Sequence, residues 1–182
     1  MLNITTLNYA AADFYQQLDD VLAWDASIDG DVAKIVTDIL KDVKQRGNAA
    51  VLEYTNKFDR LNVESMSDLE IAPARLQESL SRISTEQREA LEKAAERVRA
   101  YAEHQKLESW SYTEADGPLF GQQVTPMDRA GLYVPGGKAA YPSSVIMNAM
   151  PAKVAGVPEL IMVMPTSDGE VNDLVFAAAA IV

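Results

Sequence analysis

The sequence predicts an α/β protein, on three observations. Through the first hundred residues apolar side chains recur at three- and four-residue steps, the period of amphipathic helices. From about Leu119 onward the order becomes strand, helix, strand, helix, as in one half of a doubly wound parallel sheet. Between the strand at Gly131–Val134 and the helix that begins at Pro142 lies Pro135-Gly-Gly137, a glycine-rich turn at the place where such folds hold ligands. The expected division is a mainly helical region, 1–107, followed by a partial, Rossmann-like α/β unit with a mostly parallel sheet, 108–182.

Each element has a local reason. Phe14, Leu18, Val21 and Leu22 lie on one face of a short helix. After Asp25–Gly30 a second helix carries Val32, Ile35, Val36, Ile39, Leu40 and Val43 on one stripe, and Gly47 behind Lys44 and Arg46 stops it. Asn48 caps a third helix through Val51, Leu52 and Tyr54 to about Phe58. Asp68–Ile71 reads as a short strand. Pro73 suits the first turn of a helix bearing Leu76, Leu80 and Ile83. Ser84-Thr-Glu-Gln87 is a capping box, in which Ser84 accepts from the Gln87 backbone N–H and the Gln87 side chain reaches back. The helix it opens is the longest, with Leu91, Ala94, Ala95, Val98, Tyr101, Ala102 and Gln105 as its apolar stripe.

Beyond Lys106, Trp110 to Pro118 reads as a connector and Leu119–Thr125 and Gly131–Val134 as strands. Pro142–Gly156 reads as a helix bent or interrupted at Pro151, because proline lacks the backbone donor and crowds the preceding turn. Leu160-Ile-Met-Val-Met164 is a continuous apolar run, the pattern of a strand buried on both faces of a parallel sheet. Asn172–Val182 begins a further helix.

Composition excludes several functions. The formal charge is -11, from 16 Lys and Arg against 27 Asp and Glu, which repels phosphate backbones and anionic membranes, so nucleic acid is not an expected partner. There is no cysteine, hence no disulfide framework, thiolate zinc site or thiol nucleophile. No segment reaches the roughly 20 apolar residues of a membrane span. Met1-Leu-Asn-Ile-Thr-Thr-Leu-Asn8 has no basic stretch before an apolar run, so a secretory leader is not expected. A soluble, cytoplasmic protein is the expectation.

The candidate site is the glycine turn. Gly136 and Gly137 lack a Cβ, so the backbone can take positive φ and a flat ligand can approach its N–H groups. The following helix offers free N–H groups and a partial positive charge to an anion such as a dinucleotide pyrophosphate, with Lys138, Ser143 and Ser144 as further donors. Tyr133, at the end of its strand, can lay its ring against a nicotinamide or adenine. The alternative is equally open at this point: the turn merely reverses the chain and Tyr133 packs in the core.

Two nucleotide templates fail. For G-x-x-x-x-G-K-[ST] the spacing Gly131 to Gly136 fits, but Gly137 stands at the lysine position and Lys138 at the hydroxyl position, leaving no hydroxyl for Mg²⁺. G-x-G-x-x-G is absent. His104, the single histidine, falls on the polar face of the long helix and reads as solvated. With no second histidine, a transition-metal site would rest mainly on carboxylates, and these are scattered on helix faces.

The run Gly131-Leu-Tyr-Val-Pro-Gly-Gly-Lys-Ala-Ala-Tyr-Pro-Ser-Ser-Val-Ile-Met-Asn-Ala-Met-Pro-Ala-Lys-Val-Ala-Gly156 closely resembles the corresponding segment of histidinol dehydrogenases. Val36–Gly47 with Asn48–Phe58 resembles that family's N-terminal helices, and Gln122-Gln-Val-Thr125 the strand before the motif. The resemblance covers nearly all of the chain. It implies a zinc- and NAD-dependent homodimeric enzyme of histidine biosynthesis that oxidises L-histidinol to L-histidine through the aldehyde, in two hydride transfers. It implies also that the metal fixes the substrate while a Glu–His pair handles protons. The resemblance places Tyr133, with Pro135 beside it and the Gly136-Gly137 turn, at the NAD site. The family's zinc ligands (Gln, His, Asp, His) and its Glu–His pair are expected beyond Val182, so this chain is expected to hold no catalytic and no metal-binding residue and to be inactive alone. The final Phe176-Ala-Ala-Ala-Ala-Ile-Val182, without a polar last turn or a glycine stop, fits a truncated chain. The competing expectation is a stand-alone nucleotide-binding or dimerisation module without catalysis.

Overall fold

The structure is a computed structural model that describes residues 5–23, 26–136 and 140–182, with backbone only at 26–29. It forms two compact units, Met1–Val51 and Leu52–Val182. The first holds α1 (Phe14–Leu22) and α2 (Ala26–Arg46) and enters α3 (Asn48–Phe58). Around the start of α1 the rings of Tyr9, Phe14 and Tyr15 meet edge to face, the centroids of both pairs 5.3 Å apart. Along α2 the predicted stripe has helical spacing, yet Val32, Ile35, Val36 and Leu40 are exposed.

The second unit is built around α4 (Pro73–Arg82), α5 (Thr85–Glu103), α6 (Pro142–Val154) and α7 (Asp173–Ile181). Here α4 and α5 pack along α7 and α6, and α6 and α7 on each other. The capping box of α5 forms as expected: the Gln87 N–H donates to Ser84 Oγ at 3.1 Å and the Ser84 N–H to Gln87 Oε1 at 3.0 Å. Leu91, Ala95 and Ala102 of α5 join Val145, Ile146, Met150 and Val154 of α6 and Val175, Ala177 and Ala178 of α7 in one core, with Leu80 and Ile83 at its margin. Alanines on these contact faces let the backbones approach closely, which is why α7, with Val175–Ala178 all buried, sits at the centre.

Polar groups fasten α7 to α4. Arg75 donates to Asp173 Oδ1 at 2.7 Å and to the fully buried Ser79 Oγ at 2.5 Å, and its guanidinium lies 5.3 Å from the centroid of the Phe176 ring. The Arg75 hydrogen bond, helped by Ser79, holds the Asp173 carboxyl below its ordinary value against the opposing effect of desolvation. A carboxylate with a depressed folded-state pKa contributes stability that is intact above the ordinary carboxylate range and lost as pH falls through the depressed value. The melting temperature is therefore expected to be level from neutral pH to about 5 and to fall below about 4. Asp173→Asn should remove part of that acid limb in melts followed by circular dichroism; an unchanged acid limb would refute the assignment.

The sheets are small. β3 (Arg129–Tyr133) and β4 (Glu159–Val163) are parallel, with Ala130 opposite Leu160 and Tyr133 opposite Val163, and α6 is the crossover between them. The Val134 N–H adds a bond to the Val163 carbonyl at 3.0 Å. Ala130, Leu132, Leu160 and Met162 are half-buried on one face, whereas Arg129, Gly131, Tyr133, Glu159, Ile161 and Val163 are exposed on the other. The expectation that 160–164 is buried on both faces is thus corrected: helices of the unit cover one face only. β1 (Trp110–Thr113) pairs antiparallel with β2 (Leu119–Gln122) in a separate hairpin.

Three further expectations are corrected. Trp110–Thr113 is a strand rather than a connector, because a turn closed by the Glu114 N–H to the Pro118 carbonyl folds it onto β2, with stacked Trp110, Tyr112 and Phe120 along the ladder. Asp68–Ile71 is no strand: Met66–Leu69 is a 3-10 turn, since Asp68 Oδ2 accepts the backbone N–H groups of Ser65 and Glu64 at 2.8 and 3.0 Å, a local bond that competes with strand formation. The expected interruption at Pro151 is absent: helix α6 runs unbroken from Pro142 to Val154. Pro151 and Met147, whose carbonyl lacks the proline's missing N–H, are both exposed, so water can stand in for that donor.

Candidate functional site

Parallel strands direct the loops at their carboxyl ends to the same edge of the sheet, and a crevice opens where those loops separate. β3 continues into Val134, Pro135 and Gly136, β4 into Met164 and Pro165, and α7 begins close by behind its cap Asn172. Between them is a cleft of about 120 Å³. Pro135 and Gly136 form one wall, Met164 and Pro165 another, and Glu170 and Asn172 the rim toward α7.

The two loops are pressed together. A Cβ built on Gly136 would stand 2.7 Å from the Pro165 carbonyl oxygen and 3.0 Å from Pro165 Cγ. The absent side chain therefore makes room first for the chain's own second loop. Gly136 needs no positive φ, so the requirement is for space rather than for backbone freedom.

Of the residues predicted for the site, the structure brings Pro135 and Gly136 together in the cleft. Tyr133 is not in its lining: as the last residue of β3 it stands on the uncovered sheet face, 64% exposed, beside Ile161 and Val163. The reading in which Tyr133 packs in the core is excluded. Gly137 and Lys138 lie outside the described residues. The start of α7 borders the cleft, as does Ala140 just before α6, and the Leu174 N–H of α7 is already taken by Asn172 Oδ1 at 2.9 Å. With Glu170 on the rim and Asp173 in the first turn, this edge suits hydroxyl and amide donors better than a phosphate.

Met164, Pro165, Glu170 and Asn172 were not foreseen. The signal for them was the turn-forming run Thr166-Ser-Asp-Gly169 directly after β4, which announces a loop at the same sheet edge as the glycine turn. Two ion-paired residues hold that loop: the Arg60 Nε donates to Asp168 Oδ1 at 2.6 Å and Nη2 to Oδ2. The hydrogen bond from Arg60 keeps the Asp168 carboxyl below its ordinary value, and the same bond raises Arg60.

A helix-crossed parallel pair with a cleft at the carboxyl ends of its strands defines an α/β protein of the ligand-binding type. Which one follows from comparison with known proteins. Residues 24–182 match the family model described as histidinol dehydrogenase, and the chain belongs to that family. It is 61% identical over 181 residues to the histidinol dehydrogenase of Hydrogenovibrio crunogenus, covering 100% of this chain and 42% of that protein. It is 61% identical over 178 residues to that of Pseudomonas fluorescens strain Pf0-1, covering 98% of this chain and 40% of that protein. The chain thus spans about two fifths of the length of the curated relatives it matches. The crystal structure of histidinol dehydrogenase from Elizabethkingia anophelis shares the fold, with a TM-score of 0.71 at 24% identity over 81% of this chain and 34% of that one.

Pockets for drug-sized ligands run to roughly 300–1,000 Å³, and the cleft formed by the described residues is smaller. Among the described residues no three of His, Cys, Asp and Glu gather in a cluster that could hold a metal ion. His104 caps the end of α5 in an exposed position. The described residues do not fit zinc, and no chemical step is assigned to it on this chain. No helix among the described residues is long and apolar enough to cross a membrane.

Proposed function

We propose that this chain is the amino-terminal portion of an NAD- and zinc-dependent enzyme that oxidises L-histidinol through the aldehyde to L-histidine in histidine biosynthesis, and that it supplies one wall of the NAD site. The observation that carries this reading is the position of the family-matched segment: Tyr133 to Gly136 emerges at the carboxyl end of a parallel strand, beside a cleft. NAD, when bound, supplies the hydride acceptor. The residues of this chain bind and orient it: Tyr133 lays its free ring against a planar heterocycle, and Pro135, Gly136 and Gly137 bound the ligand from the loop. In this proposal the cofactor-facing segment belongs to the partial α/β unit 108–182, and 1–107 is the mainly helical region. The whole enzyme is a cytoplasmic homodimer, and its zinc ligands and Glu–His pair lie on sequence beyond Val182.

One observation favours a second reading, an association module without catalysis. Val32, Ile35, Val36 and Leu40 form an exposed apolar stripe on α2, as a helix that docks on another chain would.

Titration calorimetry separates the readings. The chain is expected to bind NAD, and Tyr133→Ala to weaken binding roughly tenfold, since stacking on an aromatic side chain is worth about 1–3 kcal/mol per base. Because Tyr133 is exposed, the melting temperature should not move. Supplied with zinc, NAD and L-histidinol, the chain should give no NADH absorbance at 340 nm. Equal affinity of wild type and Tyr133→Ala would remove the tyrosine from the site, and turnover would refute the portion reading.

A further inference from the structure

The loop that walls the cleft after β4 is fastened from a distant part of the sequence. At the end of α3, the Asp59 carbonyl accepts the Asp168 N–H at 2.7 Å, and Asp59 Oδ1 accepts the Ser167 hydroxyl at 3.3 Å. The next residue, Arg60, forks onto both oxygens of the Asp168 carboxylate across 108 positions of sequence. Leu61 then approaches Gly169, its Cδ2 lying 3.9 Å from where a Cβ on that glycine would stand. Three consecutive residues thus grip three consecutive residues.

Both partners of the fork have an unusual backbone. Among the described residues Arg60 and Asp168 are the non-glycine residues with positive φ, at 55° and 59°. Aspartate visits that region readily, whereas a long side chain such as that of arginine is uncommon there and points to a local constraint. The ion pair is exposed on both sides, and such pairs add little to global stability. What the grip determines is local: it sets the path of 167–169, and one residue further on Glu170 enters the cleft rim, with Asn172 behind it.

We propose that the Asp59–Arg60 corner is a positioning clamp for the cofactor cleft: Arg60 holds the loop between β4 and α7 in the course that places Glu170 and Asn172 on the rim. The consequence for the cofactor rests on the NAD reading above; the clamp itself does not. Arg60 touches no cofactor and acts through Asp168.

Hydrogen exchange by mass spectrometry on the 182-residue chain tests the clamp directly. Arg60→Ala removes the fork and keeps the backbone strain, Arg60→Gly removes both, and Arg60→Lys keeps the charge. Amides in 167–172 are expected to exchange roughly tenfold faster in the Ala and Gly variants, with Lys restoring part of the protection and peptides of α5–α7 unchanged. In the same variants NAD affinity should fall roughly three- to tenfold, as expected when the binding-competent loop is populated only part of the time. Wild-type exchange of 167–172 in Arg60→Gly would overturn the clamp. A loosened loop with undiminished NAD affinity would overturn its role at the cleft. If the wild type binds no NAD, the NAD reading fails, and the exchange result still decides the clamp.

Discussion

Phe176→Ala is expected to destabilise the Leu52–Val182 unit by about 3–5 kcal/mol, the cost of emptying a packed aromatic site. The ring is 2% exposed and is the largest fully buried side chain. It sits on α7, the helix against which α4, α5 and α6 all pack, with Arg75 of α4 over its ring. Its loss also leaves the Arg75 guanidinium, 5.3 Å above the ring, without the aromatic face it covers. Domains of ordinary stability have only about 5–15 kcal/mol in reserve, so the variant should lose about a fifth of it or more. Phe176→Leu, which keeps most of the apolar volume, should cost about 1.5 kcal/mol or less. Urea unfolding followed by far-ultraviolet circular dichroism gives both values. A loss below about 1 kcal/mol for the alanine variant would show that the helices close over the site.

What was legible in the sequence was what is decided within a few residues. Ser84 and Gln87 close their capping box because both partners belong to one helical turn. The stripe of α5 was read correctly at Leu91, Ala95 and Ala102. Tyr101 was assigned to it and is exposed, being rotated about 80° from Leu91 at 3.6 residues per turn. Periodicity locates a face but not its cover: the spacing along α2 is right, and Val32, Ile35, Val36 and Leu40 are nevertheless exposed, with Ile39 and Val43 half-buried. The same limit explains β4. A run such as Leu160–Met164 is compatible with burial on both faces, yet Ile161 and Val163 face solvent because nothing in the unit packs on their side.

The site was legible to the extent that turn chemistry reveals it. Proline followed by two glycines marked the loop after β3, and Pro135 and Gly136 do line the cleft. The opposite wall is marked only by the turn-forming run Thr166-Ser-Asp-Gly169, which announces a loop but not its partner. Pro165, Glu170 and Asn172 come to the cleft because β4 lies parallel to β3, and that pairing spans 30 positions of sequence. The clamp at Asp59–Arg60 was beyond reading for the same reason, since an arginine after an aspartate at a helix end resembles many solvated pairs until Asp168 is placed opposite it.

Gly136→Ala is expected to weaken NAD binding roughly ten- to hundredfold, at 1.4 kcal/mol per factor of ten. The added methyl would meet the Pro165 carbonyl oxygen at 2.7 Å and the proline ring at 3.0 Å. A backbone atom and a ring cannot swing aside as a long side chain can, so the overlap must be relieved by moving one loop, and overpacking of this kind costs about 1–3 kcal/mol. The loops at 134–136 and 164–166 are half-buried or better and rest on the ends of strands whose pairing fixes them. Relief therefore comes through a wider gap between the two cleft walls. Folding should suffer as well, because Val134 beside the turn belongs to the core of α5, α6 and α7 and Met164 packs against it, and the melting curves give that share of the cost. Gly131→Ala is the control: a Cβ there meets nothing within 4 Å, and the position faces solvent on β3. That variant should bind NAD as the wild type does, with equal or slightly higher stability, since glycine in a strand interior is unfavourable. Calorimetric titration of both variants, with melting curves alongside, decides between crowding at Pro165 and a general need for glycine in this segment. Equal affinities for the two would show that the contact between the loops does not govern the cleft.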